Sequence, residues 1–122
     1  MAPQLVITAQ RFGDVAVVAL NGWLVADEQD VQFRNYIDAL VRGGITKIVA
    51  DLHDVTLLDS GGMGVLVAKL LTVRKRGGDL RLARLTDRTR RMLSITRLLT
   101  IFATFDSRDD AVLSFAPDTV NT

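Results

Sequence analysis

The stretch from Asp51 to Lys69, DLHDVTLLDSGGMGVLVAK, limits the possible folds more than any other part of the chain. It starts at the end of an apolar segment, KIVADL, that suits a strand. A short polar passage then leads to Asp59-Ser60-Gly61-Gly62, and the following run, MGVLVAKLLTV, is long enough for about three helical turns. A hydroxyl just before a glycine-rich helix start has two readings. As an N-cap, Ser60 Oγ accepts an orphan backbone N–H, which contributes ~1 kcal/mol. As a phosphoacceptor, Ser60 offers a phosphate to the same free amides and to the positive end of the helix. Spacing leaves both open.

Gly61, Gly62 and Gly64 each weaken the start of that helix by ~1 kcal/mol relative to alanine. Such a cost needs a reason, and close approach of another backbone or molecule is one. Two phosphate-binding patterns are absent. GxxxxGK[ST] does not occur, and Gly62-Met63-Gly64 is followed by Val67 where GxGxxG requires its last glycine.

The 122 residues predict a single domain spanning 1–122, with its core over about 4–116 and a tail at 117–122. Without cysteine there are no disulfides and no thiolate metal sites. No basic region followed by a long apolar segment opens the chain, and no apolar run approaches the ~20 residues of a membrane span. A soluble cytoplasmic domain is the expectation. His53, the only histidine, has no histidine or cysteine neighbour to share a metal. It also lacks the orienting acid and oxyanion pocket that hydrolysis with Ser60 would need. Neither a metal nor another cofactor is expected, and the chain does not read as an enzyme.

The net charge of +1 conceals an asymmetry: residues 70–122 hold 10 basic and 6 acidic side chains, with nine of the basic ones between Arg74 and Arg97. Such a cluster suits either solvated helix faces or the steering of an acidic partner. Nucleic-acid binding through Arg74, Lys75, Arg76, Arg81, Arg84, Arg88, Arg90 and Arg91 would need stacking aromatics beside them. Only Phe102 and Phe105 are close in sequence, and both read as core or edge residues.

Taken in order, Leu5, Ile7 and Ala9 alternate with polar neighbours as in a half-buried strand, and Val15–Leu20 reads as a more central strand ended by Asn21-Gly22. Trp23 follows as a lid over the core edge. Phe33, Ile37, Leu40 and Val41 mark a helix over 28–42, stopped by Gly43-Gly44. Lys47–Leu52 is the third strand, parallel to the second by the right-handed crossover rule. The next helix, over 61–76, turns Met63, Leu66, Val67, Leu70, Leu71 and Val73 inward. Asp79–Ala83 gives a fourth strand, a short basic helix follows over 87–94, and Ile101–Ala103 is expected as the fifth strand. A last helix over 108–115 starts at the Ser107-x-x-Asp110 cap and is broken by Pro117. The class is α/β: a mixed, mainly parallel four- to five-stranded sheet packed with about four helices. Phe33, Ile37, Leu40, Ile48, Val49, Leu66, Val67 and Leu70 are the predicted core.

This order, together with DLHDVTLLDSGGMG, resembles the STAS family over nearly the whole chain, in particular the bacterial anti-sigma factor antagonists. Asp51-Leu52 ends the strand, Asp59-Ser60-Gly61-Gly62-Met63-Gly64 matches an Asp-Ser-[Ser/Thr]-Gly-Leu/Met-Gly motif, and Asp87 to Leu93 is the later basic helix. The resemblance implies that Ser60 is phosphorylated by a partner serine kinase that is also the anti-sigma factor, of the ATP-binding histidine-kinase-like type. A phosphoserine phosphatase is a further implied partner. Asp59, Ser60, Gly61, Gly62 and Met63, with Trp23 and Asp27, then form the expected partner-binding surface. Two departures stand out. Gly61 replaces the family's second hydroxyl, and Gly22-Trp23-Leu24-Val25 lacks the acids of a Gly-Glu-Leu-Asp-like segment, so that Asp27 and Glu28 are the nearest substitutes. These departures keep a second task in view, a constitutive STAS adaptor or scaffold in which Ser60 is only a cap.

Overall fold

The computed structural model describes residues 4–116. Its elements are β1 (Val6–Phe12), β2 (Val15–Leu24), α1 (Gln29–Arg42), β3 (Lys47–Leu58), α2 (Ser60–Arg74), β4 (Asp79–Ala83), α3 (Asp87–Ile95), a 3-10 turn at Leu98–Thr100, β5 (Thr104–Phe105) and α4 (Arg108–Leu113). The strands form one sheet in the order β1-β2-β3-β4-β5. The β1–β2 hairpin is antiparallel and every later pairing is parallel. The expected mixed α/β class holds, with five strands and four helices.

Alternation along the strands divides the side chains between two faces. Val18 and Leu20 of β2, Ile48, Ala50 and Leu52 of β3, and Leu80 and Leu82 of β4 pack with Phe33, Ile37, Leu66, Leu70 and Leu93 from the helices. The opposite face is thinner: Val15, Val17, Val49 and Ala83 meet Ala111 of α4, with Phe105, Val112 and Phe115 partly buried around them. Of the predicted core, Leu40 and Val67 are only partly buried, and Val49 belongs to the thinner cluster. Leu71 does not turn inward; it is 53% exposed.

Three strand boundaries differ from expectation. Asn21-Gly22 does not end β2, which continues to Leu24 through two register shifts against β3. Gly22 makes this possible at φ +122, where a Cβ would stand 2.8 Å from the Gln4 carbonyl oxygen. Trp23 is therefore a half-buried strand residue, paired with Leu57, and not a lid placed after the strand. Likewise β3 does not stop at Leu52 but runs to Leu58, so exposed His53 is on a strand. The fifth strand is Thr104–Phe105 and not Ile101–Ala103, because Phe102 is taken into the core. The expected helix break at Pro117 and the tail lie outside the described residues.

Candidate functional site

Strand β4 accompanies β3 only from Lys47 to Asp51, whereas β2 stays beside it as far as Leu58. The far ends of β2 and β3 thus run on as a two-stranded extension. At its tip, the Ala26–Glu28 turn meets the first turn of α2. One carboxylate joins them: Asp59 accepts from Ala26 N–H through both oxygens at 3.0 Å, and from Gly62 N–H at 2.9 Å. Asp59 is consequently the N-cap of α2, in extended conformation. Ser60 is the first helical residue, and the cap reading of Ser60 is corrected. Both residue types cap helices well, so the sequence does not separate them. The tie to Ala26, 33 positions away, decides it.

The same junction explains two of the glycines. A Cβ on Gly61 would stand 2.1 Å from Ala26 Cβ, and one on Gly62 would stand 2.0 Å from the Leu24 carbonyl oxygen. Backbone approach of the β2–α1 connection excludes any side chain there. Gly64 is different, since a Cβ on it would meet nothing within 4 Å.

Ser60 is exposed, and among the described residues its hydroxyl makes no hydrogen bond. Beside it lies a shallow, mainly apolar depression lined by Ser60, Met63, Gly64, Val67, Thr96 and Leu98. The corner between α3 and the 3-10 turn closes against α2 here, with Thr96 Oγ1 3.8 Å from Met63 Sδ.

Of the residues proposed from sequence, Ser60 and Met63 share this depression. Asp59, Gly61 and Gly62 build the junction behind it, and Asp27 is exposed on the adjoining turn. Trp23, next to the last residue of β2, does not line the depression. Val67, Thr96 and Leu98 were not singled out for this surface. Thr96 and Leu98 arrive from a distant corner of the chain, and no local pattern announces them.

The basic cluster is dispersed. Arg74 and Arg81 both pair with Asp79 at 3.0 Å, and the Arg81 guanidinium also lies 3.9 Å from the centroid of the Phe115 ring. Arg84 is held 3.0 Å from Asp51. Arg88, Arg90 and Arg91 belong to α3, whereas Lys75 and Arg76 follow α2. Arg74, Arg81 and Arg84 are thus engaged within the molecule, whereas a single-stranded nucleic-acid groove combines free cations along the backbone with stacking aromatics. Among the described residues no group of three or more His, Asp or Glu is placed to hold a metal, and no helix is long and apolar enough to cross a membrane.

A family model described as the STAS domain matches residues 6–111. An anti-sigma F factor antagonist from Paenibacillus polymyxa is 24% identical over 108 residues, spanning 88% of this chain and 92% of the relative. A candidate anti-sigma factor antagonist from Thermotoga neapolitana is 31% identical over 99 residues, spanning 81% and 88%. The crystal structure of another candidate antagonist, from Thermotoga maritima, matches with a TM-score of 0.81 at 27% identity, covering 88% of this chain and 92% of that one.

Proposed function

The chain belongs to the STAS domain family, and from that premise we propose that it is an anti-sigma factor antagonist switched at Ser60. In the unmodified state it binds an anti-sigma factor serine kinase of the ATP-binding histidine-kinase-like type, which then releases its sigma factor. The kinase transfers the γ-phosphoryl group of ATP to Ser60 Oγ, and the complex weakens. A phosphoserine phosphatase restores the binding form. The work is regulatory, not enzymatic, and is carried out in the cytoplasm.

The observation that carries this reading is the division of labour between Asp59 and Ser60. Because Asp59 caps α2, the Ser60 hydroxyl has no structural duty and is free for chemistry. A phosphate there adds about −1.5 to −2 charges and three acceptor oxygens. The helix end tolerates it, since its amides and dipole favour an anion. In an interface, the same group adds bulk and charge beside the Asp59 carboxylate and must be desolvated. The expected result is a folded protein that no longer binds.

Calorimetric titration of the anti-sigma factor against wild type, Ser60→Ala and Ser60→Asp tests this. Alanine should bind at least as tightly as wild type and resist phosphorylation, whereas aspartate should bind about tenfold or more weakly. Equal affinities of all three would reject the switch and indicate a constitutive adaptor.

A further inference from the structure

Two residues, Gly64 in the lining of the depression and Arg97 between two residues of that lining, are poor choices for the fold itself. Gly64 lies in the interior of α2, where glycine is disfavoured relative to alanine. Unlike Gly61 and Gly62, it has open space where a side chain would go. Arg97 has the opposite fault: its backbone is left-handed at φ +63, where glycine is preferred and a Cβ is strained. The other left-handed arginine, Arg84, is compensated by its ion pair with buried Asp51. Arg97 is exposed, and among the described residues its guanidinium has no partner.

These two costs fall in the same place. Gly64 is one helical turn after Ser60 on the same face and lines the same depression. Arg97 stands between Thr96 and Leu98, which line its other side. The left-handed turn itself is held from inside, since the Arg97 carbonyl accepts from Thr100 N–H and from the Thr100 hydroxyl, but among the described residues no contact accounts for an arginine there in place of glycine, or for glycine at position 64. Residues that break a local rule without internal compensation point to an external demand.

We propose that Gly64 and Arg97 are binding determinants for an acidic segment of the anti-sigma factor. Its backbone seats closely against α2 at Gly64, an apolar side chain enters the depression between Met63, Val67 and Leu98, and a carboxylate meets Arg97. The missing side chain of Gly64 permits the approach, and the unpaired guanidinium supplies the charge that an acidic partner complements. This rests on the reading of the Ser60 face as the partner-binding surface. It also explains why one phosphate suffices: a group on Ser60 stands one turn from the approach point and repels the acidic segment.

The test uses the full chain, with Gly64→Ala, Gly64→Gln and Arg97→Gly compared with wild type and Ser60→Asp. The titrant is the anti-sigma factor recovered with wild type, identified by mass spectrometry and purified. Gly64→Ala and Arg97→Gly should each raise the melting temperature by about 2–4 °C. Arg97→Gly should nonetheless bind about tenfold more weakly, and Gly64→Gln more weakly still. Wild-type affinity should fall with added salt more steeply than that of Arg97→Gly. A melting temperature lowered by Gly64→Ala, or a salt dependence unchanged by Arg97→Gly, would overturn the proposal. If Ser60→Asp weakens binding while Gly64→Gln binds as wild type does, this inference fails and the switch stands. If wild type binds no anti-sigma factor, both fall.

Discussion

Ser60→Ala is expected to stay within about 0.5 kcal/mol of wild type in stability, because the hydroxyl makes no internal hydrogen bond. Asp59→Ala should cost ~1–3 kcal/mol, since it removes the cap and leaves Ala26 N–H without its acceptor. Urea denaturation of the two variants checks the pair; the reverse ranking would return the cap to Ser60. A second residue-scale expectation concerns pH. The hydrogen bond from Lys47 Nζ, at 2.8 Å, holds the Asp14 carboxyl below its ordinary value of 3.8. A carboxyl lowered in the folded state stabilises the fold above its unfolded pKa, and that contribution is lost as pH falls through the folded value. Solvent surrounds both groups, so the effect on stability is small. The titration itself is measurable: Lys47→Met should raise the Asp14 midpoint in carboxyl-detected NMR, and an unmoved midpoint would show that the pair does not form.

Helices α1 and α2 are joined by a lysine that the apolar periodicity of α2 does not announce. Lys69 Nζ lies 2.7 Å from Asp38 Oδ1, with the lysine side chain 9% exposed and the aspartate 33%. Removing the acid leaves an ammonium buried without a counter-ion, whereas removing the amine leaves a carboxylate that reaches water. Asp38→Ala should therefore destabilise by about 2 kcal/mol or more, and Lys69→Met, which keeps the buried stem, by less. Equal losses in denaturant titrations would mean that packing, and not charge, sets the effect. Element by element, legibility follows how local each cause is. The helices announce themselves through 3.6-residue spacing, with a glycine stop after α1 and a threonine cap before α3, so both begin and end within about two residues of expectation. The extension of β3 is less visible, because His53, Asp54 and Thr56 face solvent and look like a loop. Its partner is the equally obscured end of β2, whose register shifts beside Gly22, where the Gln4 carbonyl oxygen leaves no room for a side chain. The candidate site divides in the same way. Ser60 is legible from its motif, but the Asp59 cap and the Thr96–Leu98 wall depend on contacts across more than 30 positions.

The whole molecule is lopsided, and its two faces should open at different free energies. The helix-covered face holds the large side chains, including Phe33, Ile37, Leu66 and Leu70, all fully buried, so Leu66→Ala should cost ~2–5 kcal/mol in denaturant titrations. Among the described residues the other face has only α4, six residues long and too short to persist without tertiary contacts. Its anchors include Ala111 in the thin cluster with Val112 and Phe115 partly buried beside it, the Arg81 guanidinium donating to the Ser114 hydroxyl, and Arg108 on Asp51. The Asp51 side chain is 1% exposed and is shared with Arg84, so it ties α4 to β3 and to the residue that follows β4. Arg108→Ala keeps Asp51 paired with Arg84 and should leave the sheet intact while loosening α4. In native-state hydrogen exchange, the α4 amides of the variant should exchange at least about tenfold faster, with protection of β2 and β3 unchanged. Loss of protection throughout the sheet would instead make α4 part of the cooperative core. Because α4 lies across the sheet from α2, the same variant should keep wild-type affinity for the anti-sigma factor, which separates this weak element from the Ser60 surface.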